Sequence, residues 1–301
     1  MSRPETLISV IVPAYNYAHL LPRALDSVLA QLADDVELIV VNDGSTDQTS
    51  ALLADYQGRY PAIRIIEQEN GGAASARNHG IREANGRYAL MLDADDELLP
   101  DALSCLRQMV AHHPEAGMLL GGYVSVYEDG RERQRMPTAV PAAPADQLIR
   151  QYLLEKRIAI SHGCSMFRRD LLMQRPYPES LRNGEDIAVF AFLLISAPVA
   201  LTTQPLVRIY KHSDSLRHSR TNGEAYVVEM VHHVFSSLPA SCQPLKARYE
   251  AQRYLSLFRA ALLAGEAEQA RYFYKAAFKR APVQALGWSY LRKALRLMMQ
   301  A

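Results

Sequence analysis

The N-terminal third of the chain alternates short apolar runs with segments of helical period. Residues 7–12 form a continuous apolar, β-rich run and predict a strand. Across residues 19–32, Leu20, Leu21, Leu25, Val28, Leu29 and Leu32 fall on one broad face, which predicts an amphipathic helix. Residues 36–41 predict a second strand, and Ser45-Thr46-Asp47 supplies an N-cap cluster for a helix running to about Tyr60. A short strand at 63–66, a helix at 73–85 stopped by Gly86 and a strand at 88–92 complete the pattern. Strands alternating with helices imply βαβ units and an α/β fold with a mainly parallel sheet flanked by helices. Such strands are covered on both faces, so they read as unbroken apolar runs rather than alternating ones.

Beyond residue 99 the pattern is less regular. Residues 100–112 predict a helix opening at Pro100, 117–127 a strand, and the proline-bearing stretch 137–145 a surface loop. Residues 146–157 look helical, 187–195 predict a strongly apolar helix, and 206–210 a last short strand. From Gly223 onward the pattern is helical. The expected organisation is a domain over 1–215 and a C-terminal helical extension over 216–301.

Composition narrows the classes. Hydrophobic residues make up 49% and charged residues 22% of the 301 residues, which excludes disorder, collagen and a coiled-coil rod. A formal charge of +1 argues against a protein built to bind nucleic acid. That balance is uneven: residues 246–301 carry 11 Lys and Arg against 3 Asp and Glu, so a basic tail follows an acidic body. Three cysteines are too few and too scattered for a disulfide framework or a cysteine-rich zinc site. No apolar stretch reaches about 18 residues, and the N-terminus lacks a signal-like apolar region, so a cytoplasmic location is expected.

The polar motifs gather where strands end. Pro13-Ala14-Tyr15-Asn16 follows the first, Asn42-Asp43-Gly44-Ser45 the second and Asp93-Ala94-Asp95-Asp96 the fourth. In open α/β sheets that edge is where ligands bind. Three carboxylates within four positions repel one another; a divalent cation would relieve this and recruit phosphates. If the strand continues through them, Asp93 and Asp95 share a side. An acidic loop capping the helix at Pro100 is an equally good account of this stretch alone. Asn70-Gly71-Gly72 before a small-residue helix carrying Arg77 suits a phosphate at a helix N-terminus, or an ordinary glycine turn. Walker A and G-x-G-x-x-G signatures are absent.

In order, Pro-Ala-Tyr-Asn, Asn-Asp-Gly-Ser-Thr-Asp, Asn-Gly-Gly-x-x-x-Ala-Arg-Asn, Asp-Ala-Asp-Asp and Gly-Glu-Asp resemble the family 2 glycosyltransferases of the GT-A fold. The resemblance spans roughly residues 8–210 and is specific for the family, not for sugar or acceptor. It implies an inverting transfer from a UDP-sugar, with Mn²⁺ or Mg²⁺ as cofactor. Pro13, Ala14, Tyr15, Asn16, Asp43, Gly71, Gly72, Arg77, Asp93, Ala94, Asp95 and Lys211 would line the nucleotide-sugar site. Asp95, Asp93 and His212 would be metal ligands, Asp186 the general base and Glu185 its catalytic neighbour. Where the family more often has Asp-Asp-Gly-Ser, this chain has Asn42. The implied product is a bacterial lipopolysaccharide core or surface polysaccharide, on a saccharide or lipid-linked saccharide acceptor. Two other classes compete: a non-catalytic nucleotide-sugar-binding module and a sugar nucleotidyltransferase, the latter lacking a basic triphosphate signature in residues 13–19.

In the tail, Trp288, Leu291, Leu295, Met298 and Met299 recur at helical spacing with Arg292, Lys293 and Arg296 between them. That pattern suits either a basic amphipathic helix on an anionic membrane, giving a peripheral location, or a helix packed on the protein with a solvated basic face.

Overall fold

The structure, a computed structural model, describes residues 5–211 and 223–299. The chain divides into two compact units: Met1–Pro141 with Ile158–Ser219, and Ala142–Arg157 with Arg220–Ala301.

The first unit is α/β. Its elements run β1 (Ile8–Ala14), α1 (Leu21–Leu29), β2 (Val36–Asp43), α2 (Thr49–Arg59), β3 (Ile63–Gln68), α3 (Ala73–Glu83), β4 (Tyr88–Met91), β5 (Glu97–Leu98) and α4 (Ala102–His112). After β6 (Met118–Tyr127) and β7 (Glu132–Arg135) the chain enters the second unit with α5 (Ala145–Ile149), which runs on into a π-helical turn. It returns through β8 (Ser165–Arg168), α6 (Arg169–Gln174), α7 (Glu185–Ser196) and β9 (Val199–Lys211). One sheet orders them β3-β2-β1-β4-β8-β6-β9-β5, with β7 beside β6. The pairs among β3, β2, β1 and β4 are parallel; β8 runs antiparallel to both β4 and β6.

Burial explains the apolar runs. Ile8, Val10 and Val12 of β1 pack with Leu21, Leu25 and Val28 of α1. Ile11 points the other way, under α3. That approach is close: a Cβ on Gly80 would lie 2.4 Å from the Ile11 Cγ2. The expected helix stop at Gly86 is corrected, because α3 already ends at Ala84 in extended geometry. Gly86 serves instead to let the backbone pass Ser9, whose Oγ would sit 2.5 Å from any Cβ there.

The second unit adds α8 (Glu224–Ser236), α9 (Lys246–Leu263), α10 (Ala267–Arg280), α11 (Pro282–Ala285) and α12 (Trp288–Met299). Tyr249, Tyr254 and Phe258 of α9 and Ala270, Phe273 and Tyr274 of α10 are buried in its core. No helix of the described residues is long and apolar enough to cross a membrane.

Candidate active site

The C-terminal ends of β1, β2 and β4 bring the polar motifs together, each loop tying down another. Asn16, at φ 56°, accepts at its Oδ1 from the Thr46 amide at 2.7 Å, while the Asn16 amide donates to Ser45 Oγ at 3.0 Å. This joins the loop of Pro13, Ala14, Tyr15 and Asn16 to the loop after β2. Tyr15 is left 44% exposed, a ring open to a ligand.

Asp43 is buried, and its carboxylate holds the glycine loop. Oδ1 accepts from Gln68 Nε2 at 2.7 Å and the Gly71 amide at 2.8 Å; Oδ2 accepts from the Gly72 amide at 2.8 Å. Gly72 has φ 87°, a left-handed geometry suited to glycine. The turn leads into α3, whose second turn carries Arg77.

Asn42 has its own logic. Its Nδ2 donates to Glu67 Oε2 at 2.7 Å and to Ser50 Oγ at 2.8 Å, and its side chain is buried. An aspartate there would set a buried carboxylate against that of the exposed Glu67, so the amide suits this neighbour.

Asp93-Ala94-Asp95-Asp96 does not extend β4. The Asp96 amide donates to the Asp93 carbonyl at 3.1 Å, a tight turn. The alternation argument for Asp93 and Asp95 is thereby corrected, although both remain partly exposed while Ala94 and Asp96 are buried. Asp96 turns inward and accepts from the Tyr210 amide at 3.1 Å. Burial, with the charges of Asp93 and Asp95, pushes its carboxyl well above the usual range. Arg23 donates to the Asp95 carbonyl and stacks on Tyr210, 3.5 Å from the ring centre. Lys211 ends β9, opposite Tyr127 of β6. His212 lies outside the described residues.

Arg77 joins two motifs far apart in sequence. Its Nη2 donates to Asp93 Oδ1 at 3.0 Å and its Nη1 to Glu185 Oε1 at 2.7 Å, with the guanidinium 8% exposed. The two carboxylates, Asp93 first, hold it firmly charged despite its burial. Its Nε is buried without a partner. Glu185 and Asp186 form the first turn of α7, after Gly184 at φ 71°. Burial, and then the Glu185 charge, raise the Asp186 carboxyl to about 6. A carboxylate so tuned can take a proton near neutral pH.

Behind Arg77 lies a buried layer whose tyrosine sequence reasoning misses, although it places Ser161-His162-Gly163-Cys164 on the acceptor side. The Tyr177 ring lies 5.7 Å from the guanidinium, and its hydroxyl pairs with His162 Nε2 at 2.9 Å. His162 also meets Phe190 of α7 edge-on, at 5.0 Å between ring centres. Burial, then the Arg77 charge, pushes His162 down to about 3, so it is neutral. Asn78, part of the Ala-Arg-Asn motif, fastens this layer to α3. Nothing local around Tyr177 marks it in the sequence. Cys164 is buried and its thiol is pushed up to about 12 by burial, so it is inert as a nucleophile.

Among the described residues no three His, Cys, Asp or Glu side chains gather as a metal cage. The Asp93–Asp95 turn nevertheless fits a hard divalent cation completed by phosphate oxygens, since such ions commonly take only one or two protein carboxylates. The gathering of Asp93, Asp95 and Asp96 in one turn, with Asp93 and Asp95 partly exposed, is the observation that favours a cation there.

Comparison with known proteins shows the family and the fold. Residues 9–175 match the family model described as glycosyl transferase family 2. The chain is 26% identical over 240 residues to the uncharacterized glycosyltransferase YibD of Escherichia coli, covering 78% of this chain and 70% of that one. It is 46% identical over 190 residues to the uncharacterized glycosyltransferase EpsJ of Bacillus subtilis, covering 60% of this chain and about half, 54%, of that one. Among solved structures, TarS of S. aureus (residues 1–349, in complex with UDP-GlcNAc) superposes with a TM-score of 0.66 at 20% identity, over 90% of this chain and 82% of that one. The mannosyltransferase PcManGT of Pyrobaculum calidifontis, in complex with GDP-Man and Mn²⁺, gives 0.54 at 21% identity, over 97% and 84%. At these identities the two structures speak for the fold.

Proposed function

The chain belongs to glycosyl transferase family 2, and from that premise we propose that it moves a hexose or N-acetylhexosamine from a UDP-sugar to a saccharide acceptor with inversion. The acceptor is a saccharide or lipid-linked saccharide of a bacterial lipopolysaccharide core or surface polysaccharide, built on the cytoplasmic side. The observation that carries the reading is the Arg77 bridge from Asp93 to Glu185, which ties the Asp93–Asp96 turn to the Glu185-Asp186 pair. The UDP-GlcNAc complex of TarS supports the choice of UDP.

In this reading Tyr15 stacks on the base, and Asp43 shapes the wall beside it through the glycine loop. Mn²⁺ or Mg²⁺, held by Asp95 with Asp93 and His212 as further ligands, would neutralise charge on the departing diphosphate. Asp186 accepts the acceptor hydroxyl proton. The freed oxygen bonds to the anomeric carbon from the face opposite UDP, and the bond from that carbon to the diphosphate oxygen breaks. UDP leaves with the bonding pair. Burial, and then the Glu185 charge, keep Asp186 basic enough for this by raising its pKa. Arg77 holds Glu185 and Asp93 in register throughout.

Calorimetric titration of UDP into wild type and Asp95→Ala, with and without Mn²⁺, tests the donor site. Metal-dependent UDP binding lost in Asp95→Ala is expected; GDP in place of UDP is the control. Absence of UDP binding under all conditions overturns the donor assignment. Turnover separates the remaining classes: release of UDP supports the transferase, pyrophosphate a nucleotidyltransferase, and binding without turnover a non-catalytic module.

A further inference from the structure

The C-terminal helix answers the amphipathic pattern in an unexpected way. It packs within its own unit, but not through the tryptophan. Ala294 and Leu297 are buried, and Arg271 of α10 donates to the Leu297 carbonyl at 3.2 Å. The preceding turn is anchored too: Ala285 is buried and its carbonyl accepts from Tyr274 at 3.1 Å. With these positions turned inward, Trp288 and Leu295 face out, 75% and 49% exposed, one helical face apart by seven residues. Arg292 and Arg296 lie on the same outer side and are exposed.

The exposed apolar surface continues upstream. Val283 at 87% and Leu286 at 48% exposure bring three large apolar residues into the six positions ending at Trp288. Along the chain their setting is basic, although Glu250 of α9 pairs with Arg280. Residues 269–301 contain seven Lys and Arg and no Asp or Glu. Leaving a tryptophan and three aliphatic side chains in water is costly, and a segment with this net positive charge repels a second copy of itself. An anionic bilayer satisfies both: the ring and aliphatic groups enter the headgroup boundary while the arginines meet phosphates. The helix has 12 residues, enough to lie along a surface and too few to span it.

We propose that the α11–α12 segment is a peripheral docking surface for a bilayer rich in anionic phospholipid, with Trp288 and Leu295 inserted and Arg292 and Arg296 on the headgroups. The proposal uses no donor-site residue, so its test stands apart from that reading.

Trp288 is the sole tryptophan, which makes its emission a report from the surface itself. The full chain is titrated with unilamellar vesicles of phosphatidylglycerol and phosphatidylethanolamine in equal parts, and with vesicles of phosphatidylcholine alone. A blue shift on the anionic vesicles, weakened by salt and small on the neutral ones, is expected. Arg292→Glu/Arg296→Glu should weaken partitioning by more than about tenfold, and Leu295→Asp should also weaken it. All three positions are exposed, so circular dichroism should be unchanged and UDP titration unaffected. No shift on anionic vesicles, or equal shifts on both kinds, overturns the proposal. So does a shift that follows protein concentration without lipid, which would mark a second copy, or one given equally by duplex DNA.

Discussion

Asn78 grips the Tyr177 peptide from both sides, its Nδ2 donating to the carbonyl at 2.9 Å and its Oδ1 accepting from the amide at 2.8 Å. The same Nδ2 donates to Glu179 Oε1 at 2.8 Å. One amide side chain on α3 therefore fixes the segment that carries the aromatic floor of Arg77. Asn78→Ala leaves a buried donor and acceptor unsatisfied and should cost about 2–5 kcal/mol. Urea unfolding measures this, and a change below the error of the midpoint would refute the role.

Arg77 serves two carboxylates with separate nitrogens of one rigid fork. Lysine keeps the charge but is a single point donor. Arg77→Lys should lower kcat/KM about 10²-fold or more while leaving the unfolding midpoint less affected than Asn78→Ala. Steady-state kinetics beside urea curves make the comparison.

Asp186, raised to about 6 by burial and the Glu185 charge, must be ionised to act as base. Below that pH, kcat/KM should fall about tenfold per unit. Glu185→Gln removes a neighbouring negative charge, so the acid limb should move to lower pH. Asp186→Asn should lose about 10²–10⁴ in rate and keep UDP affinity. A pH profile without an acid limb, or an active Asp186→Asn, would remove the base assignment.

His162 predicts a contribution to acid lability. In the unfolded chain its imidazole protonates below about pH 6.5; in the fold it resists until about 3. The stability tied to its neutral form is thus complete above 6.5 and is lost as pH falls toward 3. Between pH 8 and pH 4 the loss is about 3 kcal/mol. Asp186 runs in the opposite sense, since its raised pKa favours the fold as pH drops through 6. Comparing wild type with His162→Gln isolates the histidine: their stability gap should narrow by that amount from pH 8 to pH 4. A constant gap in urea midpoints would count against it.

The parallel half of the sheet was readable because its strands are covered on both faces. Residues such as Val10, Ile11 and Val12 are all buried, which leaves an uninterrupted apolar signature. β7 gave no such sign, because Glu132–Arg135 is wholly exposed. β8 has only four residues and pairs with strands far away in sequence. β9 begins at Val199, not at the expected residue 206, since Thr203 and Gln204 face solvent and break the run. The strand-end motifs were legible because each is local. The His162–Tyr177 layer was not, since it depends on α3, α7 and two loops meeting in space.

The carboxylate of Asp43 on the Gly71 and Gly72 amides has a thermodynamic consequence. Amides that open a helix attract an anion, and here the chain brings its own. The glycine loop is thereby ordered when the protein folds, not when the donor arrives. Its conformational entropy is subtracted from folding stability rather than from affinity. Asp43→Asn should shift that ordering cost onto donor binding, loosening both the loop and the grip on the donor.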